Sequence, residues 1–256
     1  MEVFPLKNHF TLLLCFLTII FITNSNTAIF ANEKDESSFI NSYEEDITGD
    51  GFREYFRLEG TLLSEKSNYY RDVWLNISSP FSKQWKISLN GGYDPNIQLI
   101  DLNHDHIFDL FYQVAKDEEK KQYQHQLYTL KNGVVEQLEL PKHNYIQGEF
   151  QKDFTVTIQI NPNAKPIKLD VSRNKEKYIS EKLYNEDGSL FNRRKLNVNP
   201  ISFIEPVLIS ESKGYGLKSY QTIKGIDNED ILGSIETLWY FKNNTWFILK
   251  SDWIPK

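Results

Sequence analysis

The feature that most constrains the fold is an internal repeat. Residues 46–56 (DITGDGFREYF) align without gaps on residues 101–111 (DLNHDHIFDLF), at an offset of 55 residues. Each copy is followed by a strand-like run, a turn signal and two further strand-like runs. A period near 50 residues with several strands per unit is typical of propeller blades or stacked-sheet arrays. The repeat therefore predicts a chain built from similar β units.

Short β-like runs alternate with turn signals along most of the chain. Such runs, separated by Asn-Gly, Pro and Asn-Pro signals, favour strands joined as hairpins. We expect an all-β, mainly antiparallel fold of β-propeller-like or stacked multi-stranded sheet units, with at most one or two short helices. The predicted strands as far as residue 171 are 54–63, 72–77, 85–89, 97–100, 110–114, 126–130, 134–140, 154–160 and 167–171.

The second half carries three further predictions. Gly148 to Ile160 is a candidate for a degenerate third unit that lacks the acids. Ser172 is placed to cap a short helix that runs to about Leu183. The tail 236–253 (ETLWYFKNNTWFILKSDW) predicts two aromatic-rich strands joined at Asn243-Asn244, because asparagine tolerates the positive φ of a tight hairpin turn.

The repeated loops have the donor pattern of a calcium site. Acidic, amide or hydroxyl side chains stand at positions 1, 3, 5 and 9 of each copy, and calcium takes six to eight oxygens at about 2.3–2.6 Å, main-chain carbonyls included. Ten ligands are predicted, with the carbonyl at position 7: Asp46, Thr48, Asp50, Phe52 and Glu54 in the first loop, and Asp101, Asn103, Asp105, Ile107 and Asp109 in the second. Up to two calcium ions are expected.

The alternative is that each loop is only a polar turn, in which Asp side chains bind their own main chain. Two gap-free copies argue against it, because clustered acids repel one another without a cation. Thr48 is a weaker ligand than Asp or Asn, and His106 replaces the glycine that such a turn prefers. A hydroxyl can still coordinate, and histidine is among the residues that enter the left-handed region.

At these residues the chain resembles the FG-GAP or VCBS-type repeats of extracellular β-propellers, whose blades carry a D-x-[DN]-x-D-G-x-x-D calcium loop. It is also similar to a group of uncharacterised exported bacterial proteins. The resemblance covers residues 46–56 and 101–114 and is looser over the following strands. It implies structural calcium and interaction surfaces on the loops, and it leaves activity open.

The N-terminus predicts export. Phe10 to Ile22 is an uninterrupted apolar run after Lys7, too short at about 1.5 Å per residue to cross a bilayer core of roughly 30 Å. A signal peptide over residues 1–31, cut after Ala31, fits better, and an uncleaved signal-anchor is the alternative. The only cysteine, Cys15, lies in this segment, so the mature chain has no disulfide.

Four regions follow from these patterns: the signal peptide 1–31, a flexible lead-in 32–45, two calcium-loop repeats over 46–150, and a β-rich C-terminal half over 151–256. The net charge is −6 and removal of residues 1–31 leaves it unchanged. Without a basic stripe, nucleic acid is not an expected partner. An unknown protein or carbohydrate is expected instead, with no stable membrane span once the signal is cleaved.

Catalysis has no sequence signature here. The chain lacks a G-x-S-x-G elbow, an H-E-x-x-H helix, a phosphate-binding loop and a dinucleotide fingerprint. Zinc at His104 and His106 lacks convergent ligands, and the acids at 227–230 read as a solvated loop. The leading hypothesis is an exported calcium-binding β-repeat protein with a structural or binding role at the cell surface or in the medium. The alternatives are an extracellular hydrolase with structural calcium and a carboxylate pair, and a signal-anchored envelope protein.

Overall fold

In this computed structural model, Met1 and residues 37–119, 121–142 and 145–256 are described. Apart from Met1, the predicted signal peptide lies outside the described residues. In the part that is described, no helix has the length and apolar character needed to cross a membrane. Residues Glu36–Lys256 form one compact unit.

The described residues contain sixteen strands and one short α-helix, with two single-turn 3-10 helices at Lys131–Gly133 and Ser172–Asn174. The strands are β1 Ser38–Glu45, β2 Glu54–Leu62, β3 Tyr69–Ser78, β4 Gln84–Leu89, β5 Gly92–Ile100, β6 Asp109–Ala115, β7 Tyr123–Thr129, β8 Glu136–Leu138, β9 Gln147–Gln151, β10 Thr155–Gln159, β11 Ile167–Asp170, β12 Asn197–Val198, β13 Phe203–Ser210, β14 Gly214–Lys224, β15 Ile231–Lys242 and β16 Thr245–Pro255. The helix α1 is Lys175–Ser180. All strand pairings are antiparallel, which confirms the all-β prediction.

The first eight strands form two four-stranded meanders that repeat the sequence period. Strands β1 to β4 pair in order, and so do β5 to β8. Tyr69 and Tyr70 pair with Tyr93 and Gly92, which joins the meanders into one eight-stranded sheet. Ser38–Glu45 was expected within the flexible lead-in, but it pairs with β2 along its length and is the first strand of the first meander.

The segment from Gln147 to Ser180 forms a three-stranded sheet and a helix. Strands β9, β10 and β11 make the sheet. The β9–β10 hairpin turns within three residues, at Lys152 to Phe154, so it lacks the eight-residue loop of the repeat. The predicted helix is shorter than expected: it ends at Ser180, and Ser172 makes no side-chain cap. Lys182 has φ 55°, a left-handed conformation that breaks the helix before Leu183.

The C-terminal sheet has five strands, in the order β12, β14, β15, β16, with β13 also paired to β14. Strands β15 and β16 form the predicted hairpin. Asn243 and Asn244 have φ of 52° and 58°, as expected for a two-residue turn between twisted strands.

Three apolar clusters hold the sheets together. The first is shared by the two meanders, with residues such as Phe56, Leu75 and Tyr112. The second lies between the second meander and the C-terminal sheet, where Phe111 packs with Trp239. The third joins the C-terminal sheet to the three-stranded sheet and α1. The units therefore stack through their side chains, and this places the two repeated loops near one another.

Candidate metal-binding loops

The two repeated loops are equivalent connections in equivalent hairpins. The first links β1 to β2 and the second links β5 to β6. The flanking pairs are Glu45 with Glu54 and Ile100 with Asp109, again at an offset of 55 residues. The sequence repeat is thus a repeat of backbone structure.

Both loops are folded around the carboxylate of their first residue. The main-chain N–H groups of the fourth and sixth residues donate to it in each copy. The distances are 2.7 Å from Gly49 and 2.8 Å from Gly51 to Asp46, and 2.7 Å from His104 and 3.0 Å from His106 to Asp101. The same two positions have positive φ in both loops, with histidine at 64° and 68° where the first loop has glycine. The predicted departure from the glycine pattern at His106 is therefore accommodated, and so is the histidine at position 104.

The ninth residue of each loop is a buried acid. Neither Glu54 nor Asp109 is exposed. Glu54 accepts a hydrogen bond from the N–H of Ile47 at 3.1 Å, and Asp109 accepts bonds from the N–H groups of Leu102 at 2.9 Å and Asn103 at 3.0 Å.

Burial is the main reason why the pKa values of both acids are raised. Desolvation raises the pKa of Asp109 from 3.8 to about 7, opposed by its two main-chain hydrogen bonds and reinforced by the negative charges of Asp105 and Asp101. The pKa of Glu54 is also raised, first by burial and then by the charge of Asp50. At both acids, burial disfavours the ionised form more than the neighbouring charges do.

The third and fifth residues complete a hydrogen-bonded network in the second loop. Asn103 donates from Nδ2 to Asp109 Oδ1 at 3.0 Å, and Asp105 Oδ1 accepts from the N–H of Ile107 at 3.0 Å. The ammonium of Lys131 lies 3.1 Å from Asp105 Oδ2. A monovalent side-chain cation therefore faces the position where the sequence predicts a divalent ion.

The first loop has a similar network with a weaker third residue. Thr48 donates its hydroxyl to Glu54 Oε1 at 3.3 Å, and Asp50 Oδ1 accepts from the N–H of Phe52 at 2.9 Å. No cationic side chain among the described residues forms an ion pair with Asp46, Asp50 or Glu54.

The described residues contain no group of three or more His, Cys, Asp or Glu side chains arranged to hold a metal ion. Hydrogen bonds nevertheless link Asp101, Asn103, Asp105 and Asp109 within the second loop, whose side-chain oxygens are the hard donors that calcium takes. For an ion to enter, Lys131 must leave Asp105 and the Asn103 amide must leave Asp109. Lys131 is half exposed and free to do so. The second loop therefore fits calcium better than the first.

The two loops also contact each other, which the sequence did not predict. The N–H of Asn132 donates to the Thr48 carbonyl at 3.0 Å. A Cβ on Gly49 would lie 2.5 Å from Cδ1 of Ile107, so the loops are in van der Waals contact there. Lys131 is brought to Asp105 by the same segment that touches the first loop.

Exposed aromatic side chains lie beside the first loop. The rings of Phe52 and Phe81 meet edge to face with centroids 4.8 Å apart, and the two residues are 51% and 58% exposed. Tyr55, at the start of β2, is also exposed. A paired, solvent-facing aromatic surface on loops is a feature of contact sites for other molecules.

The histidine and acidic features outside this pattern have structural roles. His104 stacks on Tyr240 with ring centroids 4.5 Å apart, and burial lowers its pKa. Of the acids at 227–230, Asp227 and Glu229 are exposed, as expected for a solvated loop. Asp230 differs, because it is 4% exposed and accepts a hydrogen bond from the Tyr178 hydroxyl at 2.9 Å. Asp227 forms an ion pair with Lys177 at 2.7 Å.

The fold and the loops define a class: an all-β protein of stacked antiparallel sheets with two equivalent acidic hairpin loops. Residues 144–254 match the family model of the YybI C-terminal domain. That match covers strands β9 to β16 and not the two repeated loops, so the resemblance of the loops to FG-GAP and VCBS repeats stays a prediction. No curated protein and no solved structure matches the chain.

Proposed function

We propose that this protein is an exported β-repeat protein with a structural or binding role at the cell surface or in the medium, and that its repeated loops bind calcium. The observation that carries the proposal is the arrangement of the second loop, in which the fully buried Asp109 carboxyl is linked through Asn103 to Asp105 and Asp101. A divalent cation would relieve the repulsion among these carboxylates and favour the charged form of Asp109.

Calcium in these loops would have a structural role and would stabilise the fold. Residues 32–256 contain no cysteine, so no disulfide stabilises them. With a dissociation constant of about 10⁻⁴–10⁻³ M, typical of extracellular modules, millimolar calcium would add roughly 0.4–1.4 kcal/mol per site through linkage. That is a useful increment against the roughly 5–15 kcal/mol of an ordinary domain.

The binding role is supported by the exposed pair of Phe52 and Phe81, which adjoins the first loop. Phe52 is the seventh residue of that loop. Ordering the loop around an ion would therefore also fix one of the two aromatic rings. A protein or carbohydrate partner that contacts the pair would bind more tightly when calcium is present.

The hydrolase alternative receives less support. A cleft of about 390 Å³ lies beside β9 and β10, and Glu149 is the one carboxylate among the described residues that line it. A carboxylate pair is what such chemistry needs. The two acids with raised pKa, Glu54 and Asp109, lie in separate hairpins.

The calcium proposal is tested by isothermal titration of the chain from Asn32 onward, compared with three variants. Asp105→Asn removes a charged ligand but keeps an acceptor for the N–H of Ile107, so it should weaken binding at the second site by about tenfold or more. Lys131→Met removes the competing ammonium and should tighten binding. Asp187→Asn alters an acid that caps the N–H of Ser189 in an unrelated turn, and it should leave binding unchanged.

Thermal melts in calcium and in chelator accompany the titration. Calcium should raise the melting temperature of the wild-type chain and of Lys131→Met more than that of Asp105→Asn. Absence of binding heat in both the wild-type chain and Lys131→Met would refute the calcium proposal, and the loops would then be polar turns alone.

Export is tested separately, by mass spectrometry of the protein recovered from its native cell. A chain that begins at Asn32 supports cleavage of the signal. An intact N-terminus in the envelope fraction supports the signal-anchored alternative instead.

A further inference from the structure

The last strand of the chain, β16, is an exposed edge. It spans Thr245–Pro255 and is the terminal strand of the C-terminal sheet. Four of its apolar side chains are more than two-fifths exposed: Phe247, Ile248, Leu249 and Ile254. Within the described ranges its only strand partner is β15. Long apolar edge strands are liable to pair with a further strand, and monomeric proteins usually block them.

Charged residues are one means of blocking an edge, and β16 carries two of them at its centre. Lys250 and Asp252 form an ion pair at 2.8 Å, and both side chains remain well exposed. They have opposite signs and flank Ser251. This arrangement does not repel an identical strand, because an antiparallel copy places each charge opposite its counterpart.

The sequence around Ser251 is self-complementary in charge and hydropathy. Residues 247–249 (FIL) are apolar, Lys250 is positive, Asp252 is negative, and residues 253–255 (WIP) are apolar again. A two-fold axis at Ser251 sets Lys250 against Asp252 of the second copy, and Asp252 against Lys250 of that copy. The same axis sets the 247–249 segment against the 253–255 segment of the other chain.

We propose that β16 is a homodimerisation strand, which pairs antiparallel with β16 of a second copy about a two-fold axis at Ser251. The two five-stranded sheets then join into one continuous sheet across the dimer. Such isologous pairing is the simplest closed assembly, because each copy offers the same strand to the other and neither copy keeps a free β16 edge.

The irregularity in β16 is compatible with this pairing. The β15–β16 register shifts between Leu238 and Trp239, which leaves Leu249 as the extra residue. In a regular pairing Leu249 lies opposite Trp253 of the second copy, and if Leu249 is bulged out Ile248 takes that place. Both are apolar, so an apolar residue meets Trp253 in either arrangement.

The test is the oligomeric state of the full chain, measured by sedimentation velocity over a dilution series with single charge reversals. Lys250→Asp sets acid against acid at both symmetric positions, and Asp252→Lys sets base against base. Each variant alone should dissociate at a concentration at least about tenfold higher than the wild-type dimer. A mixture of the two restores opposite charges at both positions and should form a heterodimer.

The mixture is decisive because neither a folding defect nor association through another surface predicts it. The double variant that carries both reversals should again form a homodimer. A charge-neutral control on the opposite edge of the sheet, Leu208→Ser in β13, should leave the dimer intact.

The register is tested by Ser251→Cys in a Cys15→Ser background. A two-fold axis at residue 251 places the new cysteine of one copy directly opposite that of the other, within disulfide reach. Oxidation should therefore give a covalent dimer. A wild-type chain that stays monomeric, or an association that both charge reversals leave unchanged, would overturn the proposal.

Discussion

Two groups, the buried Asp109 and the partly buried His125, are expected to give the protein opposing pH dependences of stability. The pKa of Asp109 is raised from 3.8 to about 7, chiefly by burial. The pKa of His125 is lowered from 6.5 to about 4 by burial, partly offset by the N–H of Ile204, which lies 3.4 Å from its Nε2. Its ring packs between Phe111 and Phe203.

The contribution of each group to stability changes with pH in the opposite direction. Asp109 keeps its proton longer in the folded state, so its contribution to the free energy of unfolding is full below pH 3.8 and is lost as the pH rises through about 7. His125 resists protonation when folded, so its contribution is full above pH 6.5 and is lost as the pH falls through about 4. The difference in pKa between the folded and unfolded states corresponds to roughly 4 kcal/mol of stability for Asp109. For the partly exposed His125 it corresponds to at most roughly 3 kcal/mol.

Between pH 4 and pH 6.5 the two contributions nearly cancel, and single variants should separate them. We compare the wild-type chain with His125→Gln and Asp109→Asn, both of which keep hydrogen-bonding capacity. Going from pH 4 to pH 6.5, the stability of His125→Gln relative to wild type should fall by as much as roughly 3 kcal/mol. Going from pH 4 to above pH 7, the relative stability of Asp109→Asn should rise by roughly 4 kcal/mol.

The assay is urea denaturation followed by tryptophan fluorescence, in calcium-free buffer at half-unit steps from pH 4 to pH 8. Differences from wild type cancel the titration of the other carboxyls. A constant offset at every pH, for either variant, would refute the assignment of that buried group as a source of pH dependence.

Three further substitutions test single contacts by the same denaturation assay at pH 7. Tyr178→Phe removes a hydroxyl donor from buried Asp230 and should destabilise the fold by about 1–3 kcal/mol, whereas a loss below 0.5 kcal/mol would show that water replaces it. Gly49→Ala forces a side chain into a φ of 75° and against Ile107, and about 1–2 kcal/mol should be lost, with partial recovery when Ile107→Ala is added. Asn244→Val at φ 58° should lose about 1–2 kcal/mol, while Asn244→Gly should be close to neutral; equal losses would contradict the turn argument.

Local sequence patterns were sufficient to predict most strands and the C-terminal hairpin. Period-2 alternation and turn residues act over a few neighbours, so β2 to β8, β10 and β11 follow them closely. Strands β9, β12, β13 and β14 were not among the predicted strands. Strand β1 was missed because SFINSYEE is largely polar. It is a strand because it pairs with β2 through a hairpin closed by the first loop, and that closure depends on Asp46.

The predicted end of the helix, near Leu183, was wrong for a related reason. Ile179 and Leu183 have helical spacing, but the chain leaves the helix at Ser180 and buries Leu183 in a different way. The left-handed Lys182 that makes this possible has no local signature in the sequence. Packing in the third apolar cluster, rather than helix propensity, decides where this segment ends.

For the candidate site, the repeat in the sequence predicted two equivalent loops but not what surrounds them. Each loop is local, and its backbone is held by one carboxylate and the amides that follow it. The approach of Lys131 to Asp105 and the contact of Gly49 with Ile107 join segments far apart in the chain. Such contacts depend on how the meanders pack, which no single-sequence pattern encodes.

The first acid of each loop should be more important for folding than the fifth, whether or not calcium binds. Asp101 accepts hydrogen bonds from the N–H groups of His104, Asp105 and His106, whereas Asp105 accepts one from Ile107 and one from its own ion pair. Asp101→Ala leaves three main-chain donors without that acceptor. Asp105→Asn keeps its main-chain bond and loses an exposed ion pair.

In chelator, therefore, Asp101→Ala should lower the free energy of unfolding by about 1–3 kcal/mol, and Asp105→Asn should change it by less than about 1 kcal/mol. Added calcium should widen the gap between wild type and Asp105→Asn, because that variant loses a ligand. The hydrogen bonds of the loop do not require an ion, so the protein should stay folded in chelator. Under the calcium proposal, chelator should lower only its melting temperature. Unfolding in chelator at moderate temperature would mean that the metal, and not Asp101, organises the loop.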